Sequence, residues 1–524
     1  IAFGGEDPVP RVLLNDTYSP IILGQPLALA SMLNRLQAVA KVPLLAAADF
    51  EWGAGMRLAG ATRFPRAMAF GASRDPRLAE EAGRITAVEG RALGVHVNFA
   101  PVADVNNNPR NPVINIRSFG EDPAAVGEMV AAWTRGLQRG GMLATLKHFP
   151  GHGDTSVDSH LGLPLIEHPR ERLERVELPP FIAGLSAGAA AVMVAHVELP
   201  ALDAARGPAT LSRPIVTGLL REQLNFDGLI VTDSMLMDGV ARLGGAGENA
   251  VKAVLAGNDL VLDLPDVVEG LRALRRAVDE GVIARERIEA SARRILAAKA
   301  RLGLHRVKTV NLESVPLHVG SRAHAEVARQ VSERAVTLAK DEAGMIPLAL
   351  PRDARILYVS ALDYPRGWRI AAPSRTFIPA LRERWPRVQA VEVSDRTSPD
   401  ALSLVRAMAE GADAVIAGVF VRAASGSGRL DLAPPVAGLL EDLASEMARE
   451  GRPCVAVFFG NPYAAAAVPS VPAMLFTYDL SDWAEQTAVR ALAGEIPIGG
   501  RLPVALPGMF PVGHGLTRAP RVER

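Results

Sequence analysis

Over residues 1–307, short apolar runs alternate with longer stretches of helical periodicity. The runs lie at 42–48, 95–103, 142–146, 191–195, 229–232 and 260–262, with His96 and Asn98 as their main polar interruptions. Strands of a parallel sheet are buried on both faces, so they read as near-continuous apolar runs without a clean polar alternation. Between them, 76–93, 123–139, 171–187 and 212–224 carry the helical pattern, and the first two open on Pro76 and Pro123, a residue suited to a first helical turn. The repeated βα unit predicts a (β/α)8 barrel. Polar residues recur just past successive runs, at Asp49 and Glu51, Asp104, Lys147 and His148, His196, and Asp233. In a barrel those strand ends converge on one mouth, where loops build an active site.

An arginine-rich helical stretch at 282–304 closes this region, and 308–320 carries Asn, Ser and Pro without periodicity, as a linker does. A new set of apolar runs follows at 355–360, 414–421, 454–460 and 473–478, alternating with helical stretches at 401–410 and 435–449. Residues 321–524 are therefore expected to form a separate α/β layered domain. No copy of the first domain and no low-complexity tract occurs in it.

Composition narrows the function classes. The 524 residues are 49% hydrophobic and 22% charged, a globular and not a disordered profile. Lys+Arg and Asp+Glu balance at 57 each with no basic block, so the chain lacks the electrostatic footprint of a nucleic-acid or anionic-lipid binder. The single cysteine, Cys454, lies beside an apolar run and reads as a buried, inert thiol. Two long uncharged stretches, 181–197 and 454–478, are interrupted by Gly184 and Gly188, and by Gly460, Pro462, Pro469 and Pro472, so neither reads as a membrane span. The chain opens on Ile1 without a charged leader, which suggests a start inside a longer polypeptide; cytoplasm and cell envelope both stay open as compartments.

The densest chemistry is the run 147–160, KHFPGHGDTSVDSH, with three His, two Asp and a Lys. Pro150, Gly151 and Gly153 disfavour a helix and predict a flexible loop. In an extended loop Asp158 and His160, two apart, project to one side, and a carboxylate beside an imidazole fixes its tautomer for proton transfer. His148, His152, Asp154, Asp158 and His160 are also competent metal ligands, but the run lacks the spacing of a helical HExxH or paired cysteines. At 228–235 an apolar strand ends abruptly in Asp233, the way a barrel presents a nucleophile or general base; a helix-capping role is the plainer reading.

The run 147–160 resembles the K-H-F-P-G-H-G-x-x-x-x-D-S-H signature of glycoside hydrolase family 3, in its bacterial β-N-acetylglucosaminidase branch. Residues 231–233 are similar to the strand end that carries that family's nucleophile, 49–57 to its D-x-E-x-G-x-x-x-R element and 115–120 to its R-x-F-G element, all in the family's order. Residues 491–495 and 499–503 resemble the end of its C-terminal domain, so the likeness covers nearly the whole chain. The resemblance implies a (β/α)8 barrel followed by an α/β/α sandwich. It implies Asp233 as nucleophile, His160 as acid/base and Asp158 as the group that orients it, with Asp49, Arg57, Arg117, Lys147 and His148 holding the hydroxyls and N-acetyl group of a terminal sugar. The expected reaction is retaining, exo-acting release of β-linked N-acetylglucosamine, from peptidoglycan fragments more than chitin oligomers, with no metal and no organic cofactor. A metal-dependent hydrolase, a β-glucosidase and an enzyme using phosphate as acceptor are the alternatives. Trp52, where the family has a small residue, and the apolar Met235, Leu236 and Met237 depart from its pattern and bear on the pocket rim.

Overall fold

The computed structural model describes residues 24–363, 373–422 and 430–521, together with the backbone of 11–12 and 21–22. A short antiparallel pair, β1 (Arg11–Val12) and β2 (Ile21–Ile22), precedes the helix Pro26–Val39. Five parallel strands follow in consecutive order: β3 (Ala47–Ala48), β4 (Val97–Asn98), β5 (Leu143–Phe149), β6 (Ala191–Val194) and β7 (Leu229–Thr232). A sixth segment joins them through a parallel bridge from Val231 to Leu260. All six apolar runs thus occupy sheet positions, and the sheet curls: Leu45 beside the first strand and Leu260 and Leu262 beyond the last pack on one cluster with Val97, Phe99, Leu143, Met193 and Val231. Among the described residues this is a half-barrel of six strand positions.

Side-chain alternation explains what faces inward. Leu143 and Lys147 lie four apart on β5, while Ala144 and Leu146 point outward into the core beneath the helices. By the same period Leu45 leads to Asp49 and Glu51, and Val231 leads to Asp233. The apolar residues fill the barrel interior, and the polar ones come last at each strand end.

Helices Pro76–Ala92 and Pro123–Arg139 form as the pattern predicts, each opened by an Asp N-cap, Asp75 and Asp122, and by proline in its first turn. The expected helix over 171–187 is instead two, Arg170–Arg175 and Leu178–Ser186. Pro179 and Pro180 lack the N–H groups a continuous helix would need there, so the helix restarts at Leu178. Segment 308–320, expected to be aperiodic, contains the short turns Leu312–Ser314 and Val315–His318, and Val315 is buried in the barrel's outer core.

The second sheet has six strands, β8 (Thr337–Asp341), β9 (Ile356–Leu362), β10 (Val388–Val393), β11 (Ala414–Val421), β12 (Cys454–Gly460) and β13 (Ala473–Phe476), in the order β10-β9-β11-β12-β13-β8. All pairs are parallel except β13 with β8. Alternate residues feed two separate cores. One packs on helices Pro399–Glu410 and Pro434–Arg449, and the other on Phe377–Arg384 and Asp482–Ala493, so the layers are α/β/α. Cys454 is 2% exposed in the first of these cores, and burial pushes its thiol up to about 12, as expected for an inert cysteine. Among the described residues no helix is long and apolar enough to cross a membrane.

The two parts share their packing. Met68, Ala69, Ala72 and Ile116 from the barrel side enter the core of the second sheet, and helix Arg322–Ala335 contributes to both. Asn115 donates to Asn461 (3.1 Å), Asn106 to the Tyr463 hydroxyl (2.9 Å), and the Ala505 N–H to Glu121 (2.7 Å).

Candidate active site

A cavity of about 320 Å³ opens at the C-terminal ends of the barrel strands. Its wall includes Asp49, Arg57, Arg117, Lys147, His148, His160 and Asp233, so seven of the eight residues singled out from the sequence meet in one place. The eighth, Asp158, is buried behind His160.

Charges interlock along one side of the cavity. Lys147 Nζ lies 2.8 Å from Asp49 and 2.7 Å from Glu51. Glu51 takes a two-pronged bond from Arg117 at 2.7 and 2.9 Å, and Arg57 reaches the other Asp49 oxygen at 3.0 Å. Burial alone would push both carboxyls up. Lys147 and Arg57 overcome it at Asp49, and Arg117 and Lys147 hold Glu51 well below the usual carboxylate range. The same pairing raises Lys147 against its burial. These groups therefore stay charged and present fixed donors and acceptors to a polar ligand.

His148 follows Lys147 directly, and their order in the strand differs from the expectation that both lie beyond it: β5 runs through them to Phe149. Asp104, fully buried, accepts from His148 Nδ1 at 2.7 Å and from the His152 main-chain N–H at 2.7 Å. With Nδ1 donating, Nε2 is the acceptor that faces Arg117 at 3.3 Å. Burial raises Asp104 but the two imidazoles beside it, His148 foremost, bring it down.

Asp233 continues β7: its N–H donates to Val194, and its Oδ1 accepts the Ser234 N–H at 2.8 Å. Burial raises its carboxyl, yet His148, His196, the Ser234 N–H and His160 together hold it at about 2. His196, buried, donates from Nε2 to the Ser234 carbonyl at 2.9 Å and so braces the turn that follows Asp233.

The loop past Phe149 brings Asp158 and His160 together, though by a tighter device than an extended strand. Asp158 Oδ1 accepts both the His160 main-chain N–H at 2.9 Å and its Nδ1 at 2.7 Å, an Asx turn. Nε2 is thereby left to exchange protons. The His160 side chain is 35% exposed and that of Asp158 1%, so the carboxylate is fixed while the imidazole meets solvent and cavity.

Four groups of this site were not singled out for roles in the sequence. Glu51, Asp104 and His196 did carry a signal, since each stands at a strand end. Arg422 carried none: it comes from the second domain, just past β11, and borders the same cavity. Trp52 also lines it, with the Arg66 guanidinium 4.6 Å over its ring and Arg66 bonded to Asp479 of the second domain at 2.7 Å.

Residues 21–298 match the family model described as Glycosyl hydrolase family 3 N terminal domain. A Cellulomonas fimi protein named β-N-acetylglucosaminidase/β-glucosidase is 32% identical over 490 residues, covering 91% of this chain and 86% of its own. The solved structure of a glycoside hydrolase family 3 β-N-acetylglucosaminidase from Paenibacillus sp. str. FPU-7 superposes with a TM-score of 0.82 at 34% identity, covering 93% of this chain and 91% of the other. A structure named β-glucoside phosphorylase gives 0.83 at 26% identity over 92% and 88%. With its barrel matched by the family model and its two-domain fold shared with these relatives, the chain belongs to glycoside hydrolase family 3 and is a glycoside hydrolase.

Proposed function

We propose that the enzyme removes a terminal non-reducing β-linked N-acetylglucosamine, from peptidoglycan fragments, by retaining double displacement. The carrying observation is the meeting of a strand-borne carboxylate, Asp233, and a loop-borne imidazole, His160, on one cavity whose wall is the Asp49, Glu51, Arg117, Lys147 and His148 network. Asp233, ionised at any neutral pH, attacks the anomeric carbon as His160 Nε2–H protonates the departing oxygen. Water then enters with the proton passing back to His160, and the glycosyl ester is hydrolysed. Asp158 holds the imidazole in the tautomer both steps need. Asp49, Arg57, Arg117, Lys147 and His148 bind hydroxyls and the acetamide, and neither metal nor organic cofactor enters. The names of the relatives, β-N-acetylglucosaminidase among them, agree with this sugar.

Asp233→Ala and His160→Ala, assayed on an aryl β-N-acetylglucosaminide and the matching glucoside, test the roles. Asp233→Ala should lose turnover on both substrates, and retained activity would discard the assignment. In His160→Ala an activated phenol should restore the first step while the attack of water stays slow. Inhibition by chelator would instead favour a metal-dependent hydrolase.

A second reading keeps the first step and replaces water by phosphate. A neutral imidazole base repels an anion less than a carboxylate base would, and one structural relative is named a phosphorylase. Phosphate-dependent release of the aryl group with formation of a sugar 1-phosphate would establish it.

A further inference from the structure

His152 stands at the foot of the loop that carries His160, and it is 2% exposed. Its main-chain N–H donates to Asp104 at 2.7 Å and its carbonyl accepts from Asn111 Nδ2 at 2.9 Å, so both backbone groups are tied to the barrel. Its ring reaches the other way. Nδ1 lies 2.9 Å from Thr155 Oγ1, and Nε2 lies 2.9 Å from Ser159 Oγ, the residue between Asp158 and His160. We propose that His152 is a positioning residue for the acid/base, a post to which the loop is latched through Ser159 so that the Asp158–His160 pair stands in register with the sugar site. The proposal rests on the reading of His160 as acid/base.

The chemistry of the ring suits the task. Burial, with His148 nearby, brings His152 down to about 4, so at neutral pH one ring nitrogen donates and the other accepts. Two hydroxyls, each able to donate or accept, satisfy either tautomer. Asp104 makes the latch part of a larger unit, since its second oxygen holds the His148 ring at 2.7 Å. One buried carboxylate therefore sets both a sugar-side imidazole and the foot of the acid/base loop.

His152→Phe and Ser159→Ala in the full-length enzyme test this, with kcat/KM read on phenyl and on 2,4-dinitrophenyl β-N-acetylglucosaminide. A phenyl leaving group needs a proton donor and a dinitrophenyl group does not. The latch predicts a roughly 10–100-fold loss on the phenyl substrate, a much smaller one on the dinitrophenyl substrate, and no further loss when either change is added to His160→Ala. His152→Gln, which keeps a donor and an acceptor, should recover part of the loss. Equal losses on both substrates, or losses that add fully to His160→Ala, would mean a general structural role and overturn the proposal. Should His152→Phe fail to fold, Ser159→Ala carries the same comparison. If His160→Ala itself shows no leaving-group dependence, the acid/base reading fails; if it does and both latch variants match wild type, the latch alone fails.

Discussion

Lys147 is almost fully enclosed, with a side chain 4% exposed, and its ammonium meets two carboxylates. Glu51 is not tolerable in such a setting without a cation, and the enclosed cation is not tolerable without its carboxylates. Glu51, with a side chain 7% exposed and three bonds to Arg117 and Lys147, is the most tightly bound member. Its carboxyl is held below its unfolded value, so it stabilises the fold above about pH 4.3 and that stabilisation is lost as pH falls through the lowered value. Glu51→Gln should therefore cost about 3–5 kcal/mol at pH 7, and the gap in melting temperature from wild type should narrow as the pH is taken below 4. Melting curves between pH 7 and pH 3 check this, and a constant gap would contradict it. That Glu51 belongs to the site was legible as a polar residue at a strand end and as the glutamate of the element at 49–57. Its partners Arg117 and Lys147 lie far away in the chain, and nothing local announces which carboxylate they choose.

Helices Pro76–Ala92 and Pro123–Arg139 pack more closely than their side chains suggest. A Cβ on Gly136 would come within 2.0 Å of the Glu80 carbonyl, and one on Gly83 within 2.5 Å of the Trp133 carbonyl. The two glycines let the backbones touch, which fixes the helix pair that backs strands β4 and β5. Gly136→Ala should cost about 1–3 kcal/mol by forcing the helices apart. Gly438, in helix Pro434–Arg449, meets nothing within 4 Å, and Gly438→Ala should stabilise by about 0.5–1 kcal/mol. Urea unfolding of both variants checks the opposite signs. The helices themselves were readable from periodicity and proline position, whereas the break at Pro179 and Pro180 follows from missing N–H groups that a purely apolar pattern hides.

The two domains act as one wall of the cavity. Asp479, with a side chain 1% exposed, anchors Arg66, and Arg66 backs Trp52 at the cavity. Asp479→Ala leaves a guanidinium without its partner at this junction and should cost about 3–5 kcal/mol, with a fall in kcat/KM as Trp52 loses its support. Lys252→Ala, which removes an exposed pair with Glu248, should stay within about 0.5 kcal/mol and leave activity alone. Melting temperature and kcat/KM measured together separate the two outcomes; an unchanged kcat/KM for Asp479→Ala would mean that Trp52 does not depend on this anchor.

The sequence by itself determined the strands, the polar residues at their ends such as Asp49, Lys147 and Asp233, and the loop with Asp158 and His160, because backbone periodicity and the conformational limits of Gly and Pro act over a few residues. Only the tertiary structure decided that Asp104 serves His148 and His152 at once, that Arg117 chooses Glu51, and that Arg422 arrives from the other domain. Those pairings depend on how a curled sheet and a packed domain interface bring distant backbone together, a condition met by the whole core and written in no short stretch of the chain.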